Sequence, residues 1–283
     1  AIGVGCAPHS NSKQLRINGT KLALRELGGV LPMLWLTPAH DRLFLEGASG
    51  RRRFLDRFGM ALFAEYSLYL AAYERAMRER NRLLALGEGE KWVNAVEGEM
   101  AVNGVHLAEL RLSAFERLSE EAMRDDVGNF PPLDMKLHGE WEMVVKEKSH
   151  EEAQGLFSRS LCEGRGLDAK AGRALSGPHR SDVHVHHIAK NMPAPLCSTG
   201  EQKALLLSLF LAKARICKAS SGKSALLLLD EISAHLDTPH RKALFGELAK
   251  IGGQVWMSGT HESLFEHCPK KQLFHLPQSE SKP

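Results

Sequence analysis

Apolar and polar positions alternate with a period of two near the start of this chain. They shift to helical spacing through its middle and return to short apolar runs toward its end. Gln14-Leu15-Arg16-Ile17 has the alternation of a half-buried strand, and Asn18-Gly19 after it is a two-residue hairpin signal, because both positions of such a turn need positive φ. Leu31 to Leu36 predicts another short strand, closed by Thr37-Pro38. From Arg51 to Leu86 there is no proline, and Leu55, Phe58, Leu62, Tyr66, Leu70, Tyr73 and Met77 recur at helical spacing. This predicts one helix stopped by Gly87-Glu88-Gly89. A second is expected from about Lys91 to Met123, with Leu107, Leu110, Leu112, Phe115 and Leu118 on its apolar face.

Asn129-Phe130-Pro131-Pro132 breaks the helices. Leu133 to Val145 then reads as extended, Glu151 to Cys162 as a helix ended by Gly164-Arg165-Gly166, and Val183-His184-Val185 as a strand. A helix from Ser198 to Ala214 leads into an apolar strand, Ala225 to Leu229. The helix after it, Pro239 to Ile251, has proline near its start and Gly252-Gly253 at its end, and Gln254 to Ser258 reads as a buried strand. The predicted fold is α/β, with a largely helical middle inserted between two α/β ends. Residues 1–45 supply strands of a first lobe, 46–165 a mostly helical second lobe, and 166–283 the remainder of the first.

Composition changes this picture little. The 283 residues are 43% hydrophobic and 25% charged, and 37 basic against 34 acidic residues leave a net charge of only +3. Bulk charge therefore does not point to nucleic acid, and any basic surface has to come from local clustering. Five cysteines, odd in number and without a CxxC pair, favour reduced cytosolic thiols over a disulfide framework. The longest aliphatic run, Ala225 to Leu229, falls far short of the ~18 residues of a membrane span. A cytoplasmic protein with no membrane partner is expected. The chain opens on Ala rather than Met, so a cut at its start is also expected.

The chemistry concentrates between Cys197 and Asp237. Leu226 to Leu229 runs into Asp230-Glu231, and an apolar strand ending in adjacent carboxylates is suited to hold Mg²⁺ and aim a water. Asp230 is the candidate metal residue, binding Mg²⁺ through its water shell, and Glu231 the candidate base. Upstream, Ser198-Thr199-Gly200-Glu201 opens a helix, where backbone N–H groups and the helix dipole meet a phosphate. A plain N-cap, with Ser198 capping and Glu201 at the third position, is the simpler account of the same residues. Ser220-Ser221-Gly222-Lys223-Ser224 imitates the end of a phosphate loop, but it precedes a strand and has Cys217 where the first glycine belongs. No phosphate-cradling loop is found elsewhere in the sequence. His261 is a candidate γ-phosphate switch, with a bland exposed histidine as the alternative. Among His184, His186 and His187, strand alternation puts only the first two on one face, without a further ligand at metal spacing. Arg51, Arg52, Arg53 and Arg57, and the run Arg75, Arg78, Arg80 and Arg82, read either as solvated helix faces or as contacts to a DNA backbone.

Asp230-Glu231-Ile232-Ser233-Ala234-His235-Leu236-Asp237 resembles the Walker B strand and D-loop of ABC-type ATPases, with the signature-like Ser198-Thr199-Gly200-Glu201-Gln202-Lys203 in the right order before it. Further segments resemble the RecF family in particular. They include Pro38-Ala39-His40-Asp41, Gly50-Arg51-Arg52-Arg53-Phe54-Leu55-Asp56, Tyr73, Arg80-Asn81-Arg82-Leu83-Leu84 and Ser176-Gly177-Pro178-His179-Arg180-Ser181-Asp182. The resemblance implies an ABC-type head with an inserted helical lobe whose P-loop segment lies outside this chain. It also implies ATP and Mg²⁺ as cofactors and an ATP-dependent homodimer on gapped or junction DNA, working with RecO and RecR to place RecA. Carried over, Asp230 and Glu231 are the hydrolytic carboxylates. Ser198 and Gly200 are the contacts to the partner's γ-phosphate, with Thr199 and Glu201 in the same ATP-binding signature, and Asp237 lies at the dimer seam. A transporter ATPase subunit shares the signature and Walker B elements but not Gly177-Pro178-His179-Arg180 or the helical insertion. A non-hydrolysing DNA- or protein-binding module is the third reading.

Overall fold

The computed structural model describes residues 1–6, 13–22, 31–124, 130–222, 224–231 and 236–276. Strands β1 (Ile2–Cys6), β2 (Lys13–Ile17) and β3 (Thr20–Leu22) form an antiparallel sheet. Asn18 and Gly19, at φ 49° and 87°, make the expected tight turn between β2 and β3. Strand β4 (Met33–Leu36) follows, and a 3-10 turn over Pro38–Arg42 leaves its end.

The single helix expected over 51–86 is two, α1 (Ala48–Leu62) and α2 (Tyr66–Leu86). Phe63 is extended, at φ −122° and ψ 118°, and the chain folds back so that Tyr66 lies against Gly59. A Cβ on Gly59 would sit 2.3 Å from that ring, and the Tyr66 hydroxyl donates to Asp56 Oδ1 at 2.6 Å. Leu62 and Tyr66 keep a four-residue spacing across the break, so the apolar period alone conceals it.

Helix α3 (Glu90–Ala122) runs as expected and leads to β5 (Leu133–His138). The extended reading of Leu133 to Val145 holds only that far, since Glu140–Glu147 is helix α4. Trp141 is buried there against Phe157, ring centroids 4.2 Å apart, while Met143 is exposed, so the alternation was not that of a strand. Helix α5 (His150–Ala171) likewise continues through Gly164 and Gly166 to Gly172, which takes the left-handed conformation at φ 66°. Two ion pairs hold the extra turns: Arg80 Nη1 to Asp168 Oδ2 at 2.6 Å and Arg165 Nε to Glu97 Oε1 at 3.0 Å.

Strands β6 (Asp182–His187) and β7 (Met192–Pro193) complete a second antiparallel sheet in the order β5-β6-β7. Helix α6 (Thr199–Ser221), β8 (Leu226–Leu229), α7 (Thr238–Ile251) and β9 (Val255–Met257) close the chain as strand–helix units. β4, β8 and β9 are parallel, in that order. β9 is not the buried strand expected. It is an edge strand among the described residues, with Trp256 exposed and stacked on Phe274.

Leu205, Leu206, Leu207, Leu209, Phe210 and Leu211 are all buried, and a helix apolar on every side belongs at the centre of a core. α6 packs against β4 of the parallel sheet and against α1, α3 and α7. A second core, with Tyr73, Met100, Val105, Trp141 and Phe157, fills the space between α2, α3, α4 and α5. Helix α3 serves both, through Ala114, Phe115 and Leu118 in the first and Met100 and Val105 in the second.

Buried charge joins the two. Arg111, at 1% exposure, donates to Asp56 at 2.9 Å, Glu142 at 2.8 Å and the Pro178 carbonyl at 2.5 Å. Arg80, which the sequence grouped with exposed arginines, is fully buried between Glu97 and Asp168. The segment from Ser176 to Asp182 threads through this network. His179 meets the Tyr73 hydroxyl at 2.6 Å, and Ser181 Oγ donates to Glu142 at 2.6 Å. At Gly177, φ is 144° and a Cβ would lie 2.1 Å from that hydroxyl, so only glycine fits.

Candidate functional site

Leu36, Leu229 and Met257 are in register across β4, β8 and β9. Thr37, Asp230 and Ser258 consequently emerge together at the C-terminal edge of the parallel sheet, the edge at which such sheets bind ligands. The Asp230 N–H donates to the Leu36 carbonyl at 2.9 Å and the Ser258 N–H to the Leu229 carbonyl at 3.0 Å, extending the ladder one residue past the strands. Ser258 Oγ donates to Asp230 Oδ1 at 2.5 Å and accepts the Glu231 N–H at 3.0 Å. Glu231 has φ 52°, a left-handed conformation that costs a non-glycine residue about 1–3 kcal/mol. Both carboxylates are solvent-exposed. Exposed, adjacent carboxylate oxygens suit a hard cation that keeps most of its water, so the pair fits Mg²⁺.

Ser198 caps α6. Its hydroxyl accepts the Glu201 N–H at 3.4 Å, and the Glu201 carboxylate accepts the Ser198 N–H at 2.8 Å, so the capping box is formed. A bond from Lys190, then those from Ser198, hold the Glu201 carboxyl down at about 2. Thr199 and Gly200 are exposed in the first turn, and a Cβ on Gly200 would meet nothing within 4 Å. The helix thus presents open backbone, while its two polar side chains serve the cap. Gln202 donates to the Cys197 carbonyl at 2.8 Å, and Lys203 Nζ reaches Asp41 Oδ2 at 3.2 Å. That ion pair ties the signature-like helix to the turn after β4.

Asp237 caps α7, accepting from the His240 N–H at 2.9 Å and from His240 Nδ1 at 2.7 Å, and these bonds hold its carboxyl below the usual range. Ile232 to His235 lie outside the described residues, as does Lys223. The glycine before Lys223, Gly222, ends α6 at φ 65°, and Ser224 Oγ donates to the Ile251 carbonyl at 3.1 Å, so that segment is the passage into β8. His261 is exposed and precedes the 3-10 turn over Glu262–Phe265; among the described residues it makes no hydrogen bond to Asp230 or Glu231.

The four arginines of α1 do not act as one group. Arg51 grips both Asp182 oxygens at 2.8 Å, and Arg52 donates to the Ser181 carbonyl at 2.7 Å. Burial would raise the Asp182 carboxyl, but the Arg51 bond and the Val183 N–H hold it below its ordinary value. Arg57 lies 2.8 Å from His40 Nε2 and over the Trp35 ring at 5.0 Å. Arg53 alone of the four is exposed.

Ser258 and the Lys203–Asp41 pair were not picked out from sequence. Strand register carries the signal for Ser258, since it occupies the position in β9 equivalent to Asp230 in β8. Nothing in the sequence marks a contact 162 positions long.

No protein-family model matches the chain. It is 44% identical over 268 residues to the DNA replication and repair protein RecF of Brucella suis biovar 1 (strain 1330), a match covering 94% of this chain and 70% of that protein. The chain belongs to the RecF family. RecF of Mesorhizobium japonicum (strain LMG 29417 / CECT 9101 / MAFF 303099) is 43% identical over 277 residues, covering 96% of this chain and 73% of its own length. A solved structure of the recombination mediator protein RecF-ATPrS in the RecFOR pathway superposes with a TM-score of 0.79 at 23% identity, covering 92% of this chain and 71% of that one. The fold is thereby the RecF fold, an α/β head with a helical lobe. Within it, three of the segments that carry the RecF resemblance contribute to the Arg80 and Arg111 networks: residues 50–56 through Asp56, 80–84 through Arg80, and 176–182 through Pro178 and Ser181.

Proposed function

We propose that this chain is the DNA-repair ATPase head of a RecF protein, and that its 283 residues contribute the hydrolytic carboxylates and the trans-acting signature helix of a composite nucleotide site. The observation that carries the reading is the Ser258–Asp230–Glu231 arrangement at the edge of the parallel sheet. Mg²⁺–ATP, when bound, supplies the phosphoryl group and the cation that neutralises its charge. Asp230, oriented by Ser258, would hold that cation through its water shell. Glu231 accepts the proton of the attacking water, its left-handed backbone held by the bond from its N–H to Ser258 Oγ. The open N–H groups of Thr199 and Gly200 meet the γ-phosphate held by a second protomer, while Ser198 and Glu201 hold that helix terminus in place through the capping box. Asp237 lies at the seam between protomers and His261 senses the γ-phosphate. ATP thus joins two heads into a homodimer.

On this reading the dimer grips gapped or junction DNA through Arg53, with Arg51, Arg52 and Arg57 behind it, and works in the cytoplasm with RecO and RecR to place RecA. The solved relatives named as RecF-ATP and as members of the RecFOR pathway support it. The test uses the protein as expressed from its own gene. Glu231→Gln is expected to lower phosphate release by about 100-fold or more while ATP-dependent dimers persist in sedimentation. Unchanged turnover refutes the catalytic role, and failure of ATP to produce dimers refutes the composite site.

A further inference from the structure

In the helical lobe, His106 and Glu109 lie one turn apart on α3 and face the first residue of α5, His150. His150 Nδ1 is 2.8 Å from Glu109 Oε1, and His106 Nδ1 is 3.6 Å from Glu109 Oε2. The two imidazole centroids are 4.4 Å apart, and one donor atom from each of the three residues lies within 4.8 Å of the others. All three side chains are half-buried. Tyr69 of α2 stacks on His106 with centroids 4.4 Å apart, which fixes the plane of that ring. None of these residues belongs to the nucleotide edge or to the arginine networks.

Each carboxylate oxygen of Glu109 thus faces one imidazole nitrogen. Two imidazoles and one carboxylate, with a side open to water, form a known donor set for Zn²⁺. Bonds of 2.0–2.2 Å to a tetrahedral centre place ligand atoms about 3.3 Å apart. The 2.8 and 3.6 Å contacts run to different oxygens of Glu109, and the three donor atoms lie within 4.8 Å of one another, so side-chain rotation is what closes the set. His150 Nε2 lies 2.7 Å from the Gln154 side-chain amide. With Nδ1 on a metal, Nε2–H donates to that amide's oxygen in the flipped orientation, the outer bond that orients a ligating histidine.

We propose that His106, Glu109 and His150 bind one Zn²⁺-type divalent transition-metal ion that staples α3 to α5, with Gln154 as the positioning residue behind His150. Imidazole donors select against Mg²⁺, so the site is separate in chemistry as well as place from the carboxylates of β8.

The test titrates Zn²⁺ into the chelator-stripped chain near neutral pH against a competing fluorescent chelator, with thermal melting followed in parallel. One Zn²⁺ equivalent is expected to vanish in His150→Asn and in Glu109→Gln, and Zn²⁺ is expected to raise the melting temperature of wild type but not of the variants. Gln154→Ala is expected to keep the equivalent with about 10-fold weaker affinity. Co²⁺ in the same site is expected to give visible bands without the thiolate charge-transfer band of a cysteine site. Should His150→Asn fail to fold, half-exposed Glu109→Gln carries the same readout. The same stoichiometry and affinity in wild type and both ligand variants, or a wild-type melting temperature indifferent to Zn²⁺, overturns the proposal.

Discussion

The Ser258 hydroxyl donates to Asp230 Oδ1 at 2.5 Å and accepts the Glu231 N–H at 3.0 Å. One side chain at the end of β9 therefore fixes both the carboxylate of one acidic residue and the unusual backbone of the next. Ser258→Ala removes both bonds at an exposed edge, where each contributes about 1 kcal/mol at most to stability. If Asp230 holds Mg²⁺ as proposed, its effect on function is expected to be larger, a loss of about 10- to 100-fold in ATP turnover, the range for groups that orient a metal ligand. Ser258→Thr keeps the hydroxyl and is expected to stay near wild type. Phosphate-release assays beside thermal melts check this, and an active Ser258→Ala removes the serine from the site.

Arg111 bonds to Asp56, Glu142 and the Pro178 carbonyl at 1% exposure. Truncating it leaves two carboxylates buried without their cation, and breaking a buried pair in this way costs about 3–5 kcal/mol. Arg111→Met is expected to show that loss as a lower denaturant midpoint. Arg111→Lys is expected to recover little of it, because a single ammonium cannot reproduce the forked geometry toward acceptors on α1, α4 and the Pro178 turn. Equal stability of Arg111→Met and wild type contradicts the account.

Legibility of the sequence followed the range of the interaction. The β2–β3 hairpin, α3, α6 and the strand–helix–strand from Leu226 to Met257 were readable because turn chemistry, apolar spacing and caps are local. The break at Phe63, the helical state of Glu140–Glu147 and the length of α5 were not. Each is decided by a partner far along the chain: Tyr66 against Gly59 and Asp56, Glu142 with Arg111, Asp168 with Arg80. The candidate site divides in the same way. Asp230, Glu231 and the capping box announce themselves by neighbouring residues, whereas Ser258 and the Lys203–Asp41 pair exist only once strands and helix are placed. The arginine run of α1 shows the limit most clearly, for three of its four charges are turned to partners inside the molecule.

Gly59 offers a direct test of the α1–α2 reversal. A Cβ there would lie 2.3 Å from the Tyr66 ring, which the Asp56 bond holds in place. Gly59→Ala is therefore expected to destabilise the protein by about 1–3 kcal/mol through overpacking, although alanine favours helix. In Gly59→Ala/Tyr66→Leu the clash is relieved, and the cost of the alanine measured against Tyr66→Leu alone is expected to disappear. Denaturant titrations of the four proteins check this, and a stabilising Gly59→Ala in the wild-type background refutes it.

His179 sets a pH dependence whose sign follows from its bonds. Its Nε2–H donates to the Ala174 carbonyl at 3.0 Å, which leaves the Nδ1 lone pair to accept the Tyr73 hydroxyl at 2.6 Å. Burial is the largest effect on the ring, and with the nearby arginines it outweighs the Ala174 bond and lowers the proton affinity. The unfolded chain, with a histidine value of about 6.5, therefore binds protons more readily than the folded one. This contribution to stability is complete above that value and is lost as the pH falls through it toward the lower folded value. His40, lowered first by burial and then by Arg57, adds loss in the same window. Unfolding free energy is expected to be level just above neutrality and to decline below about pH 6.5. His179→Asn keeps an acceptor for Tyr73 but cannot take a proton, so the decline is expected to be shallower in that variant. Equilibrium denaturation across the window measures it, and an unchanged slope in His179→Asn assigns the pH dependence to other groups.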